Sequence, residues 1–119
     1  MEKIVNEDLG IIGKINERVV CFNVTKTYRN KERGSIYECA RKYWHVSGLR
    51  VKKAEYVFAV SDGLIIGVYR PLRWYITDSK KYEGRWEFEG EELTDSPYLD
   101  KSVGKLFYHK QNPVAYVNM

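Results

Sequence analysis

The chain has 119 residues, with 20 Lys and Arg against 16 Asp and Glu, a formal charge of +4 at pH 7, 44% hydrophobic and 30% charged residues. This describes one globular domain, 1–119, long enough to bury roughly two-thirds of its unfolded surface without staples. No apolar run approaches the roughly 18 residues of a membrane span, which excludes a helical membrane protein, and Cys21 and Cys39 are too few and too far apart for a disulfide framework or a metal knuckle. With no signal peptide at its start, the chain reads as cytoplasmic, with reduced thiols and no membrane partner.

In chain order, residues 1–16 are open between two conformations. Ile4, Val5, Leu9, Ile12 and Ile15 fit a helical stripe, but Gly10 and Gly13 each cost about 1 kcal/mol in a helix, so an irregular arm is the alternative. Residues 18–25 are β-branched and aromatic and predict a strand. A polar loop follows over 26–34. Ser35 then opens a helix through a capping box with Glu38, the hydroxyl serving a free N–H of the first turn. Its buried stripe is either Ile36, Ala40 and Tyr43 or Tyr37, Ala40 and Trp44. Gly48 interrupts, and a basic turn with Arg50, Lys52 and Lys53 leads onward.

Residues 54–74 are the most apolar stretch and organise the chain. Two strand-type runs, 56–60 and 64–69, flank Ser61-Asp62-Gly63. Asp-Gly at that place predicts a type I′ turn, which needs positive φ at both central residues. Both runs are too continuously apolar for a sheet with one wet face, so they are expected as central strands covered on both sides. Pro71 ends the second run or marks an edge. Two further strands are expected at 73–77 and 82–88 across a turn at 78–81, with Tyr82, Gly84, Trp86 and Phe88 on one face. Residues 89–105 are acidic and turn-rich with one helical turn near Tyr98 and Leu99, and 114–117 is a closing strand after Asn112-Pro113. The expected class is α+β: a curled, mostly antiparallel sheet or small barrel with one main helix packed on it.

Charge is uneven. Residues 26–53 hold nine basic side chains against two acidic ones, a net +7, interleaved with Tyr28, Tyr37, Tyr43 and Trp44. Cations that hold phosphates beside rings that stack bases are the two ingredients of single-strand or flipped-base recognition; the alternative is a solvated basic face whose aromatics belong to the core. Residues 87–100 hold six acids and no base. A second group, Arg70, Arg73, Trp74, Arg85 and Trp86, either brackets an anion between paired strands or neutralises Glu83, Glu87 and Glu89 across the sheet.

Signals for catalysis are absent from the sequence. His45 and His109 are the only histidines, and neither has a partner at metal-ligand spacing. Cys39 and His45 are six residues apart, on opposite sides of an ideal helix. The acidic run lacks the fixed ligand ladder of a calcium loop, and no Gly-rich phosphate loop precedes a helix. No catalytic residue, metal or cofactor is therefore expected.

Several phrases taken together carry a resemblance: 23–28 (NVTKTY), 36–41 (IYECAR) running to Trp44, 54–60 (AEYVFAV), 63–69, 85–90 (RWEFEG) and Asn112-Pro113. This ordering resembles small uncharacterised bacterial and phage domains over most of residues 18–118. The hairpin itself is similar to the core hairpin of PUA-like proteins, including the ASCH and EVE groups. That resemblance implies a curled β-barrel with flanking helices, in a group of which many bind RNA or modified bases. No base-pocket motif matches residue by residue, so it assigns no binding residues here.

The leading expectation is a non-enzymatic nucleic-acid or nucleotide binding module. Lys26, Arg29, Arg33 and Arg41 would hold phosphate, Trp44 or Trp74 would offer a ring, and Arg73 and Arg85 would bracket an anion. The alternative is a phage-type protein that binds a host protein, its acidic segment mimicking nucleic acid in counter-defence. A nucleotide-processing enzyme is third. RNA, DNA or free nucleotide, and the oligomeric state, stay open.

Overall fold

The computed structural model describes residues 15–107 and 111–119. The arm expected over 1–16 therefore lies outside the described residues except for Ile15 and Asn16, and so does His109. Among the described residues there are five strands: β1 (Val19–Asn23), β2 (Tyr56–Ser61), β3 (Leu64–Ile76), β4 (Trp86–Glu92) and β5 (Val114–Val117). Between β1 and β2 lie three short helices, α1 (Thr25–Arg29), α2 (Ile36–Arg41) and α3 (Gly48–Val51), and a 3-10 turn covers Gly104–Phe107. The strands form one mixed sheet in the order β4-β3-β2-β1-β5.

The hairpin forms at the expected place. Asp62 (φ 53°) and Gly63 (φ 80°) both take positive φ, as the type I′ turn requires. β2 and β3 pair antiparallel from Val57–Tyr69 to Ser61–Leu64, and β2 is buried on both faces. Val57 and Ala59 join one apolar cluster with Val20, Phe22 and Ala40, while Phe58 and Val60 join another with Ile15, Val19 and Val103. Period-two alternation sends neighbouring side chains to opposite layers. The helical crossover covers the first face. Residues 93–107 cover the second through Leu93, Tyr98, Leu99, Val103, Leu106 and Phe107.

Of the two expected forms, sheet or small barrel, the chain takes the open sheet, because β5 adds to the outer side of β1 and does not meet β4. Two features differ from expectation. β1 and β2 are parallel, which demands a long crossover and explains why all three helices lie between them. Finally, β3 does not stop at Pro71. A register shift between Pro71 and Arg73 places Leu72 in a bulge, and the ladder continues to Ile76–Trp86. Proline has no N–H to give the ladder, so the bulge absorbs it. As a consequence residues 82–85 are turn, with Gly84 at φ 83°, and β4 carries Glu89, Glu91 and Glu92 that were expected in a loop.

The capped helix starts where expected. Ser35 Oγ accepts the Glu38 N–H at 3.0 Å, and α2 buries Cys39 and Ala40 with Ile36 and Tyr37 half-buried beside them. It ends at Arg41, before either expected stripe is complete. Trp44 reaches the core instead through an isolated bridge to Trp86, each backbone N–H donating to the other's carbonyl at 2.9 Å. Trp86 in turn lies where a Cβ on Gly48 would be, so only glycine lets α3 approach the indole this closely.

Two stability outcomes are expected from chemical denaturation. Ser35→Ala should cost about 1 kcal/mol through the lost cap; an unchanged midpoint would place the helix start elsewhere. Trp44→Ala should cost roughly 3–5 kcal/mol, because its ring stacks on Phe22 with centroids 4.2 Å apart inside the first cluster.

Candidate nucleic-acid interface

The residues expected to form a site separate into three environments. Trp44 and Trp74, the expected base-stacking rings, are core: each is 9% exposed. Trp44 Nε1 donates to the Ala40 carbonyl at 2.8 Å, and Trp74 packs between Phe22 and Phe88. Neither ring is presented to a ligand. The reason is positional, since both lie on the inner face of the layer that the helices cover.

Arg41 is also internal. Its guanidinium lies against the edge strand β4, donating from Nε to the Phe88 carbonyl at 3.1 Å and from Nη2 to Tyr75 Oη at 2.7 Å and Glu87 Oε1 at 2.9 Å. Glu38 approaches Nη1 at 3.5 Å. Tyr75 Oη passes its own hydrogen to Glu87 Oε1 at 2.7 Å. Glu87 is buried, which by itself pushes its pKa up. Hydrogen bonds from Thr77 and Tyr75 and the charges of Arg41 and Lys42 outweigh that, holding the carboxyl below its ordinary value. Arg41 thus holds this network together and is not free to grip phosphate.

Arg73 and Arg85 do not come together. Arg73 is opposite Glu89, with Nη2 3.2 Å from Oε1, whereas the Arg85 carbonyl accepts from Thr77 N–H. Four strand positions separate them, roughly 13 Å at the usual rise. The displaced start of β4 causes this. Three of the six acids in 87–100 are matched by arginines, Glu87 by Arg41, Glu89 by Arg73 and Glu91 by Arg70 at 2.7 Å. The acidic segment therefore offers less free negative surface than its composition implies.

Arg33 and Arg85 instead converge elsewhere, on a pair of tyrosines. Tyr43, just past α2, and Tyr82, in the turn before β4, stack with centroids 4.2 Å apart and planes 11° from parallel. Four cations surround the pair. The Arg33 guanidinium is 5.1 Å from the Tyr43 centroid and 5.9 Å from that of Tyr82. Arg85 and Lys81 approach Tyr82 at 5.2 and 5.4 Å, and Lys42 approaches Tyr43 at 5.4 Å. Lys42 also binds Glu38 at 3.2 Å. Arg33, Lys81 and Arg85 have no carboxylate within ion-pair distance among the described residues. Sequence reasoning gave Lys42, Lys81 and Tyr82 no binding role: it counted Lys42 only in the basic stretch, left Lys81 in the turn and placed Tyr82 inside a strand. The available signal was a tyrosine in a lysine-rich turn, Lys80-Lys81-Tyr82.

Lys26 and Arg29 lie apart from this stack, on α1. They line a pocket of about 490 Å³ together with Asn23, Thr25, Asn30, Gln111 and Pro113. Arg29 pairs with Asp62 of the hairpin turn. A second pocket of about 310 Å³, lined by Glu17, Tyr56, Arg70, Leu93, Asp95 and Tyr98 among others, has mixed charge. There Tyr98 Oη donates to Glu17 Oε1 at 2.6 Å, and burial followed by that carboxylate pushes the phenol up to about 12.

Among the described residues, no three His, Cys, Asp or Glu side chains gather as metal ligands, and no helix is long and apolar enough to cross a membrane. Comparison with protein-family models, curated proteins and solved structures gives no match, so no relative assigns a role to any of these side chains.

The Arg41–Glu87 network has a pH signature. Because the folded-state carboxyl titrates below its ordinary value of 4.5, its stabilisation is present above that value and lost as pH falls through the lower folded value. Glu87→Gln should lower the melting temperature at pH 7 and flatten its decline in acid, relative to wild type. A parallel acid decline in the two proteins would assign that stability to other groups.

Proposed function

We propose that this protein is a binding module for single-stranded nucleic acid, with the cation-ringed tyrosine pair as its contact surface. One observation carries the reading. Two stacked, half-buried aromatic rings and three cations free of carboxylate partners share one surface, Arg33 and Tyr43 arriving from the crossover and Lys81, Tyr82 and Arg85 from the turn before β4. Phosphates accept hydrogen bonds from guanidinium and ammonium groups. Splayed bases stack on aromatic rings and on the flat faces of arginines. Each tyrosine already gives one face to the other, so Arg33 and Arg85 add the further planes a base can cover. The resemblance of the hairpin to PUA-like domains, many of which bind RNA, points the same way. The reading requires neither catalysis nor a cofactor, and it suits a cytoplasmic protein.

Anisotropy of a labelled single-stranded oligonucleotide tests this. Affinity should fall steeply with salt, because each neutralised phosphate releases counterions. Arg33→Ala and Arg85→Ala should each weaken binding and reduce the salt slope by about 0.7 for every phosphate left without its cation. Tyr82→Ala should cost roughly 1–3 kcal/mol if a base stacks there, with the melting temperature measured alongside. Folded variants that bind like wild type, or a wild type that binds no oligonucleotide at low salt, would end the nucleic-acid reading.

A further inference from the structure

The pocket beside α1 holds a polar group whose orientation is determined by its neighbours. Asp62 N–H can only donate, and it reaches Thr25 Oγ1 at 2.9 Å. The Thr25 hydroxyl therefore accepts there and sends its own hydrogen to Asn23 Oδ1 at 2.7 Å. Thr25 backbone N–H donates to the same oxygen at 3.2 Å. Two donors on Oδ1 leave no ambiguity about which end of the amide is which. The Asn23 NH₂ group is left with two hydrogens that no acceptor among the described residues takes. Asn23 lines the pocket.

The rest of the lining is mostly cationic or amide. Lys26 supplies an ammonium and Arg29 a guanidinium that also pairs with Asp62, Asn30 and Gln111 supply amides, and no carboxylate is among the described lining residues. The walls are set by local turns. Asn112 Oδ1 accepts the Val114 N–H at 3.0 Å, shaping 111–113, and the Pro113 carbonyl accepts Asn23 N–H at 2.8 Å. About 490 Å³ falls in the ordinary range of small-ligand pockets. The Asn23 and Gln111 amides, the Lys26 ammonium and the guanidinium hydrogens of Arg29 not given to Asp62 outnumber the two oxygens of a carboxylate and suit the three or four of a phosphate.

We propose that this pocket is a phosphate-binding subsite, with Asn23 and Lys26 as its principal donors. It deepens the nucleic-acid reading and rests on it only for the source of the phosphate, whether a backbone diester or the monoester of a free nucleotide. The hydrogen-bond relay from Asp62 through Thr25 points the Asn23 donors outward before any ligand arrives.

The test follows the Asn23 side-chain amide by ¹H–¹⁵N NMR while inorganic phosphate, a 5′-mononucleotide, a short oligonucleotide lacking a terminal phosphate, or acetate is titrated in at constant ionic strength. A saturable shift of that resonance with any of the three phosphate probes is expected. Response to phosphate and mononucleotide assigns a monoester source, and response to the oligonucleotide alone assigns the diester. Asn23→Asp keeps an oxygen for Thr25 but replaces the NH₂ by a second oxygen, so phosphate affinity measured by calorimetry should fall on the order of tenfold or more. Lys26→Gln, on an exposed position, should weaken it in the same direction and serves if Asn23→Asp fails to fold. An unmoved Asn23 amide with all phosphate probes, acetate binding as tightly as phosphate, or folded variants with wild-type affinity would each overturn the proposal. Oligonucleotide binding lost in Arg33→Ala, with an Asn23 amide that no phosphate probe moves, would overturn the subsite and leave the tyrosine-pair reading standing. Phosphate binding here without any oligonucleotide binding would do the reverse.

Discussion

Val57, Phe58, Ala59 and Val60 in β2 are each at most 1% exposed, and they point alternately to the two faces of the sheet. A strand of this kind cannot leave either face to water, so two covering layers are obligatory. Removing each large side chain from water contributes about 1.5–3 kcal/mol, and β1 beside it repeats the pattern with Val19, Val20, Cys21 and Phe22. The parallel pairing of these two strands means that the chain must travel back along the sheet between them. That return path carries α1, α2 and α3 and becomes the first layer. The second layer is built from residues 93–107, anchored by Val103 and by Tyr98 against Phe58. The rest of the structure hangs on this double burial.

The same constraint sorts the aromatic residues. Phe22, Trp44, Trp74 and Phe88 are packed against one another under the crossover, where burying large rings is most favourable. Tyr69 is buried with them at 1% exposure, but several other tyrosines keep the hydroxyl wet at the margin, and there they collect cations. Arg50 lies 3.7 Å from the Tyr116 centroid, Arg73 lies over Tyr75, and four cations ring Tyr43 and Tyr82. The net +7 of residues 26–53 is thus not one continuous surface. Arg41 is drawn inward by Glu87 and Arg50 lies on Tyr116, while Arg33 faces the tyrosine stack and Lys26 the α1 pocket.

The tip of the β2–β3 hairpin is tied to the crossover by few groups. Asp62 donates its N–H to Thr25 and pairs its carboxylate with Arg29, while Val24 N–H reaches the Val60 carbonyl at 2.8 Å. Asn23, at the end of β1, closes the chain of hydrogen bonds through Thr25. This joint lies at the carboxyl ends of the two parallel strands, and it is where the α1 pocket opens. The side chains that stabilise the joint are thus also those that orient the pocket's donors.

Local chemistry was legible in the sequence by itself. The Asp62-Gly63 turn, the Ser35 cap, the closing strand over 114–117 and the doubly buried run in β2 each depend on residues close together in the chain, so their pattern specifies them. Tertiary structure alone decided the parallel pairing of β1 with β2, the open edges of the sheet and the bulge that carries β3 past Pro71, because these follow from which strand adds to which edge. It also decided the fate of each basic or aromatic side chain. Nothing in the neighbourhood of Arg41 or Trp44 in sequence reveals Glu87 or Phe22, which lie 46 and 22 positions away along the chain. Arg33 and Tyr43 meet Tyr82 only because the displaced start of β4 brings the Lys81–Arg85 turn back to the crossover. Charge and ring content were therefore readable from composition, whereas their assignment to core, network or surface required the fold, since burial and pairing are set by partners distant in sequence.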